Sequence, residues 1–286
     1  MYIKSIFATL FSLMAFCAVQ SQSLLPTANG EIVTHTHYTL SYSEHNEQAE
    51  WVFYSLTPDM LLTVSASRSD NFREDPKVST QSATLTDYVG SGYDRGHLCP
   101  AASMACSSEA MSESFYMSNM SPQLPAFNRG SWKQLEEHVR NLAVSDSILH
   151  VVTGPILNDP IGSIGQSGVT IPRYYYKVLY SPKKDAMIAF LMENTKLSEP
   201  LDSYVTTVDE IETLSGINFF AEIDDAVTQQ ESQIEIEKWQ ADDYSTTKTE
   251  SKEQPTTDQC QGKTASGKQC SRKAQKGSAY CWQHQQ

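Results

Sequence analysis

The sequence is short of positive charge. Its 286 residues carry 21 Lys and Arg against 34 Asp and Glu, a formal net charge of −13. That shortage argues against a generic nucleic-acid coat, which works through an excess of basic side chains. Long apolar runs are also scarce. Only Ile6–Val19 near the start comes close, and it falls short of the ~18 residues a membrane span needs, so stable membrane insertion is not expected. No internal repeat is present, which sets aside solenoids and arrays. What remains is enough for a core: 40% hydrophobic residues with 14 Tyr, 10 Phe and 4 Trp, too apolar and aromatic for a chain disordered throughout.

The charge is unevenly placed: −11 over residues 22–221, −8 over 222–259 and +5 over 260–286. Ahead of these, Lys4, the uncharged run and then small polar residues predict a signal peptide over residues 1–21, with export to the periplasm or the medium. Cys17 leaves with it. Five cysteines remain, Cys99, Cys106, Cys260, Cys270 and Cys281, an odd number that asks for an explanation in an exported protein.

Ile32–Tyr42, Ala49–Leu56, Ile148–Thr153, Ile171–Tyr180 and Ala186–Met192 are predicted strands from their β-branched and aromatic content. Trp132, Leu135, Val139 and Leu142 make a helical stripe, and Ser131 with Gln134 gives a capping-box signature, predicting a helix from Ser131. Val205–Leu214 predicts a short helix stopped by Gly216. The irregular mixture points to an α+β core with a mixed or antiparallel central sheet flanked by helices. Residues 223–259 are predicted to be an acidic, disordered linker after at most a short helix.

The chemistry concentrates between Tyr93 and Glu136. Asp94-Arg95-Gly96-His97 follows a Gly-rich approach, Asn119 and Asn128 come next, and Glu136 lies on the predicted helix. This set suits phosphodiester hydrolysis. An imidazole can take a proton from water, a forked Arg can hold phosphate, and a hard divalent cation prefers amide and carboxylate oxygen while keeping several waters.

These residues, with Phe115–Gln123 (FYMSNMSPQ), Asn128-Arg129-Gly130, Trp132, Leu135-Glu136 and the upstream segment Arg68–Pro76, resemble the DNA/RNA non-specific endonuclease family, the ββα-metal nucleases. The similarity covers roughly residues 30–222. It implies His97 as general base, Asn128 as direct ligand of one Mg²⁺ (or Mn²⁺), Glu136 orienting metal-bound water, Arg95 on phosphate and Asn119 lining the site beside the imidazole. Of the two upstream arginines, Arg68 is favoured over Arg73. Asp94 is expected to hold the loop. DNA and RNA are the implied substrates, with 5′-phosphate products and little sequence preference. A homodimer and a cognate inhibitor are further expected partners. Two other readings stay open: a nucleic-acid- or surface-binding protein with an idle nuclease-like core, and a toxin or effector nuclease. His35, His37, His45, His138 and His150 are assigned to core or surface.

The tail spaces Cys260, Cys270, Cys281 and His284 as C-x9-C-x10-C-x2-H. Three thiolates and an imidazole suit a closed tetrahedral Zn²⁺ site over residues 260–286, in a segment too poor in apolar residues to fold unaided. Disulfides are the competing expectation for an oxidising compartment. With three cysteines on zinc, Cys99 and Cys106 are left as a disulfide or as two buried thiols.

Overall fold

Strand residues that alternate in polarity bury one face; those apolar on both sides bury two. The interior strand Gln48–Leu56 (β3) is of the second kind: Trp51 and Phe53 enter one buried cluster, Val52, Tyr54 and Leu56 another. In the computed structural model, which describes residues 24–221, 223, 232, 234–240, 260–264, 267–271 and 284, β3 lies within a seven-stranded sheet of order β1-β2-β3-β6-β9-β10-β11. The others are β1 (Glu31–Thr34), β2 (Tyr38–Ser43), β6 (Leu149–Pro155), β9 (Tyr174–Ser181), β10 (Ala186–Glu193) and β11 (Val205–Thr206). Every pairing in it is antiparallel. Small two-stranded sheets join β4 (Asp94–His97) to β5 (Met120–Gln123) and β7 (Pro160–Ile164) to β8 (Val169–Pro172).

Two predicted strands are each divided. Ile32–Tyr42 turns at His35, whose Nε2 lies 2.8 Å from Asp75 Oδ2 in the interior, and Ile171–Tyr180 breaks at Arg173 between β8 and β9. Breaks of one to three residues leave the β composition of a window largely unchanged.

The short helices are α1 (Pro58–Leu62), α2 (Leu85–Tyr88) and α3 (Ser108–Glu113); the longer ones are α4 (Lys133–Ser145) and α5 (Val208–Ser215). Leu135, Val139 and Leu142 pack α4 into the cluster on one sheet face, and Val208 and Ile211 pack α5 into the other. Each such side chain contributes about 1.5–3 kcal/mol by burial, so Leu135→Ala would cost about 2–5 kcal/mol.

The predicted capping box at Ser131 does not form. The chain is already helical before it, passing from Pro125–Phe127 through a wide turn, Asn128–Trp132, with Gly130 at φ −102°, ψ −114°. Ser131 Oγ instead donates to Leu197 O at 3.2 Å. Helix α5 starts later than expected because Val205 and Thr206 pair with β10; Thr207 caps it by accepting from Glu210 N, and Gly216 ends it.

The chain divides into two compact units, 1–242 and 243–286. The leader, most of the acidic segment and Cys281 lie outside the described residues. Within the acidic segment Ile236–Trp239 forms one 3₁₀ turn with Trp239 buried. No described helix is long and apolar enough to cross a membrane.

Candidate active site

The site grows out of the β4–β5 pair and the helix after it. With side chains alternating along a strand, β4 sets Arg95 and His97 on the same face, and Gly96 between them turns its Cα to β5. A Cβ on Gly96 would stand 2.2 Å from the Gln123 side chain, so only glycine lets the two strands close in register Gly96↔Ser121 and His97↔Met120.

His97 is 8% exposed. Its ring meets Phe115 edge-on at 4.9 Å and Phe72 at 5.8 Å. Its Nε2 is buried without a partner among the described residues, which leaves Nδ1 as the nitrogen opening on the adjacent cavity. Burial disfavours the imidazolium, and the charges of Arg68 and Arg95 add to this, pushing the pKa down to about 3. The imidazole is therefore uncharged at neutral pH, with a lone pair available to accept a hydrogen bond from water.

The same two phenyl rings carry the arginines. Arg95 lies over Phe72 at 4.1 Å and Arg68 over Phe115 at 4.9 Å, with Arg68 Nε also 2.7 Å from Asp70 Oδ1. Both reach a cavity of about 620 Å³ whose lining includes His97, Asn128, Glu136 and Arg140. Five cations against three carboxylates line it: Arg68, Arg95, Arg129, Lys133 and Arg140 facing Asp70, Asp94 and Glu136. The cavity is thus locally positive in a chain of net charge −13.

Asp94 fixes the floor. Its carboxylate accepts from Asn128 Nδ2 at 2.9 Å and from the Arg129 fork at 2.8 and 2.6 Å. These bonds hold its pKa below the usual carboxylate range, against its partial burial. Because Nδ2 is engaged, the Asn128 amide is oriented, and its Oδ1 has no hydrogen bond among the described residues. Glu136 stands on the first turn of α4. Burial raises its pKa, opposed by the charges of Lys177, Arg140 and Arg68.

Of the residues expected here, His97, Arg95, Arg68, Asn128 and Glu136 share the cavity. Asn119 does not line it. Fully buried, its Nδ2 donates to Cys99 O and Ser114 O and its Oδ1 accepts from Cys99 N, at 2.8–2.9 Å; it clamps the chain two residues beyond His97 and acts on the imidazole through the backbone. Arg73 faces away, bonding Ser112 and stacking at 3.9 Å on Tyr116. Cys99 and Cys106 are not joined, and the buried Cys99 thiol is pushed up by desolvation.

Two contributors escaped the sequence reading. Arg140 lies one helical turn beyond Glu136, a four-residue spacing that places it on the same face of α4 and could have revealed it. Lys177 gave no signal, since it reads as one residue of a strand. It is fully buried on β9, donates from Nζ to Thr153 Oγ1 at 2.8 Å, and lies 4.5 Å over the Trp132 ring. Burial lowers its pKa and the charge of Glu136 opposes this.

An oriented amide oxygen, a nearby carboxylate and space for several waters fit a hard cation such as Mg²⁺; the cavity lining has no thiol and only one imidazole, unlike a closed zinc site. In the second unit, the ligand atoms of Cys260, Cys270 and His284 lie within 4.8 Å of one another.

A two-stranded presentation of histidine followed by a helix carrying the acidic residue defines a ββα-metal nuclease. The chain belongs to the DNA/RNA non-specific endonuclease family, whose model matches residues 20–226, and it is accordingly an endonuclease acting on nucleic acids. It is 35% identical over 226 residues to nuclease C1 of Cunninghamella echinulata var. echinulata, covering 71% of this chain and 90% of that one. With mitochondrial endonuclease G of Homo sapiens it shares 35% over 202 residues, 65% of this chain and 68% of that one. Among solved structures, a chain of the EndoG/EndoGI complex, determined for the mechanism of EndoG inhibition, matches with TM-score 0.65 and 32% identity, over 70% of this chain and 89% of its own.

Proposed function

We propose that the protein is an exported, Mg²⁺-dependent (or Mn²⁺-dependent) endonuclease that cuts DNA and RNA with little sequence preference, leaving 5′-phosphates. The observation that carries this is a neutral, nearly buried imidazole opening through Nδ1 on a positive cavity that also holds an oriented amide oxygen and a carboxylate. Arg95 and Arg68 hold the scissile phosphate as forked donors. His97 takes the proton of the attacking water, whose oxygen bonds to phosphorus as the 3′ oxygen departs. Asn119, Asp94 and Gly96 keep these groups in register, and contacts to backbone phosphate leave base identity largely unread.

Asn128 would hold the cation directly and Glu136 would hold its waters; the cation would offset charge on the phosphate and on the leaving oxygen. Zn²⁺ belongs to the second unit and takes no part in hydrolysis. Residues 1–21 direct export, 30–222 form the catalytic domain, 223–259 a linker and 260–286 the Cys/His module. A cognate inhibitor is a partner of this reading, supported by likeness to a nuclease solved with one.

Purified protein incubated with plasmid and with RNA tests the proposal. Nicking in Mg²⁺, its loss in EDTA, and its loss in His97→Ala are the expected results. Equal nicking by His97→Ala and the parent would overturn the assignment of the base, and no Mg²⁺-dependent nicking would favour an idle, nucleic-acid-binding core.

A further inference from the structure

The geometry points to a structural Zn²⁺ site in the second unit, built on a glycine-dependent hairpin, whose occupation makes the tail fold. The inference stands apart from the hydrolytic reading. Lys263 and Gln269 pair antiparallel, Thr264 N donates to Lys268 O at 2.9 Å, and Cys270 N donates to Gly262 O at 2.9 Å. This short ladder brings Cys260 and Cys270 to one end, where they are 0% and 1% exposed. They alone form the unit's buried cluster among the described residues. Over residues 260–286 the sequence offers only Tyr280 and Trp282 as large apolar side chains, too little apolar surface to offset the ordering of such a segment. Something other than a core must hold it.

The side chains supply that hold. His284 brings Nδ1 to 3.3 Å from Cys260 Sγ. With Zn–S of about 2.3 Å and Zn–N of about 2.0 Å, tetrahedral ligands stand about 3.5 Å apart for sulfur and nitrogen, and about 3.8 Å for two sulfurs. The group spans no more than 4.8 Å. Gly262 N donates to Cys260 Sγ at 3.3 Å. The His284 ring lies flush on the hairpin: a Cβ at Gly262 would stand 2.4 Å from its Cγ. Any other residue there would push the imidazole off the sulfurs. Cys281, which the C-x2-H spacing names as a further candidate donor, lies outside the described residues. Soft thiolates with imidazole in a tetrahedral set select Zn²⁺ over Mg²⁺, so one chain would sort two metals between two sites by donor chemistry. Binding would release the thiol protons and be coupled to folding.

The test uses the whole chain, purified under reducing conditions. Metal analysis should find one zinc per chain, and Co²⁺ in its place should give thiolate charge-transfer and tetrahedral ligand-field absorption. Cys270→Ser should lose the zinc and the cobalt spectrum while its Mg²⁺-dependent nicking stays at the parent rate. Gly262→Val, which keeps every donor, should weaken zinc at least tenfold in a chelator competition. No zinc after reconstitution, a disulfide among Cys260, Cys270 and Cys281 in the native chain, or full zinc in Cys270→Ser would overturn the site. Unaltered affinity in Gly262→Val would overturn the geometry. An inactive chain that still holds one zinc would sink the nuclease reading alone.

Discussion

The cavity of the first unit and the Cys/His cluster of the second are both suited to a cation, but they are assembled in opposite ways. In the first, every donor is placed by the protein. Asp94 orients Asn128, α4 carries Glu136 on a stripe of buried Leu135, Val139 and Leu142, and two phenyl rings seat His97 and its arginines. In the second, the buried cluster among the described residues is the two thiols themselves, in a segment whose sequence offers only Tyr280 and Trp282 as large apolar side chains. A core of Trp, Tyr and Leu can hold polar groups in a prepared arrangement before the cation arrives. A segment so poor in apolar side chains needs its ion to become ordered. On the proposed reading, the first kind of site exchanges waters and substrate around a weakly held Mg²⁺, whereas the second holds its Zn²⁺ as a structural ion.

The largest expected effect is at His97. His97→Ala should slow Mg²⁺-dependent nicking by about 10²–10⁴-fold, the usual worth of a positioned base, with zinc content unchanged. A comparable loss of zinc would mean that the two sites are not separate. Next is Glu136→Gln, which should weaken Mg²⁺ by about 10–100-fold through the lost hold on its waters. It should also reshape the pH dependence. The Glu136 pKa is raised and that of His97 is lowered to about 3, so on acidification Glu136 takes up a proton first. The parent's acid limb therefore reports the carboxyl, and in Glu136→Gln it should move down toward the His97 value; an unchanged limb contradicts that order.

The stability linkage of His97 runs with pH in a definite direction. Its pKa is about 6.5 when unfolded and about 3 when folded, so its contribution is complete above pH ~6.5 and declines as the pH falls toward 3. In His97→Phe the part of the acid destabilisation that starts near pH 6.5 should be missing, as denaturant melts across pH would show. Arg140→Ala should be milder, about tenfold in kcat/KM for the loss of one charge-assisted contact to phosphate; a parental value would remove Arg140 from the site. The smallest effect belongs to the tail. Deleting residues 260–286 should leave kcat alone and flatten the salt dependence of KM slightly, since those residues carry +5.

Much of this was legible before the fold. Arg95 with His97, and Asn128 with Glu136, are two short-range pairs; the likeness of the motif as a whole, rather than local geometry, announced that the two pairs meet. The stripe Trp132, Leu135, Val139, Leu142 correctly marked the buried face of α4. Less legible were contacts made across the sheet. Lys177 reaches the α4 side only because β9 lies in the middle of the sheet, beside β6, and no periodicity announces that. Asn119 was read as lining the site, and its three backbone bonds are visible only once Ser114 and Cys99 are brought round it. The capping box failed for a related reason: the pattern Ser131–Gln134 is local, but the wide turn from Asn128, held by Asp94 on a different strand, takes the helical path upstream of it.

Hydrogen exchange of the full chain, followed by mass spectrometry with EDTA, Mg²⁺ or Zn²⁺ present, separates the two modes of assembly most directly. Peptides across residues 93–140 should keep their protection in EDTA and change little with Mg²⁺, while peptides across 260–271 should lose protection in EDTA and recover it with Zn²⁺ alone. Collapse of protection over 93–140 on chelation, or a tail that stays protected without metal, would contradict a cavity built before its ion and a hairpin built by it.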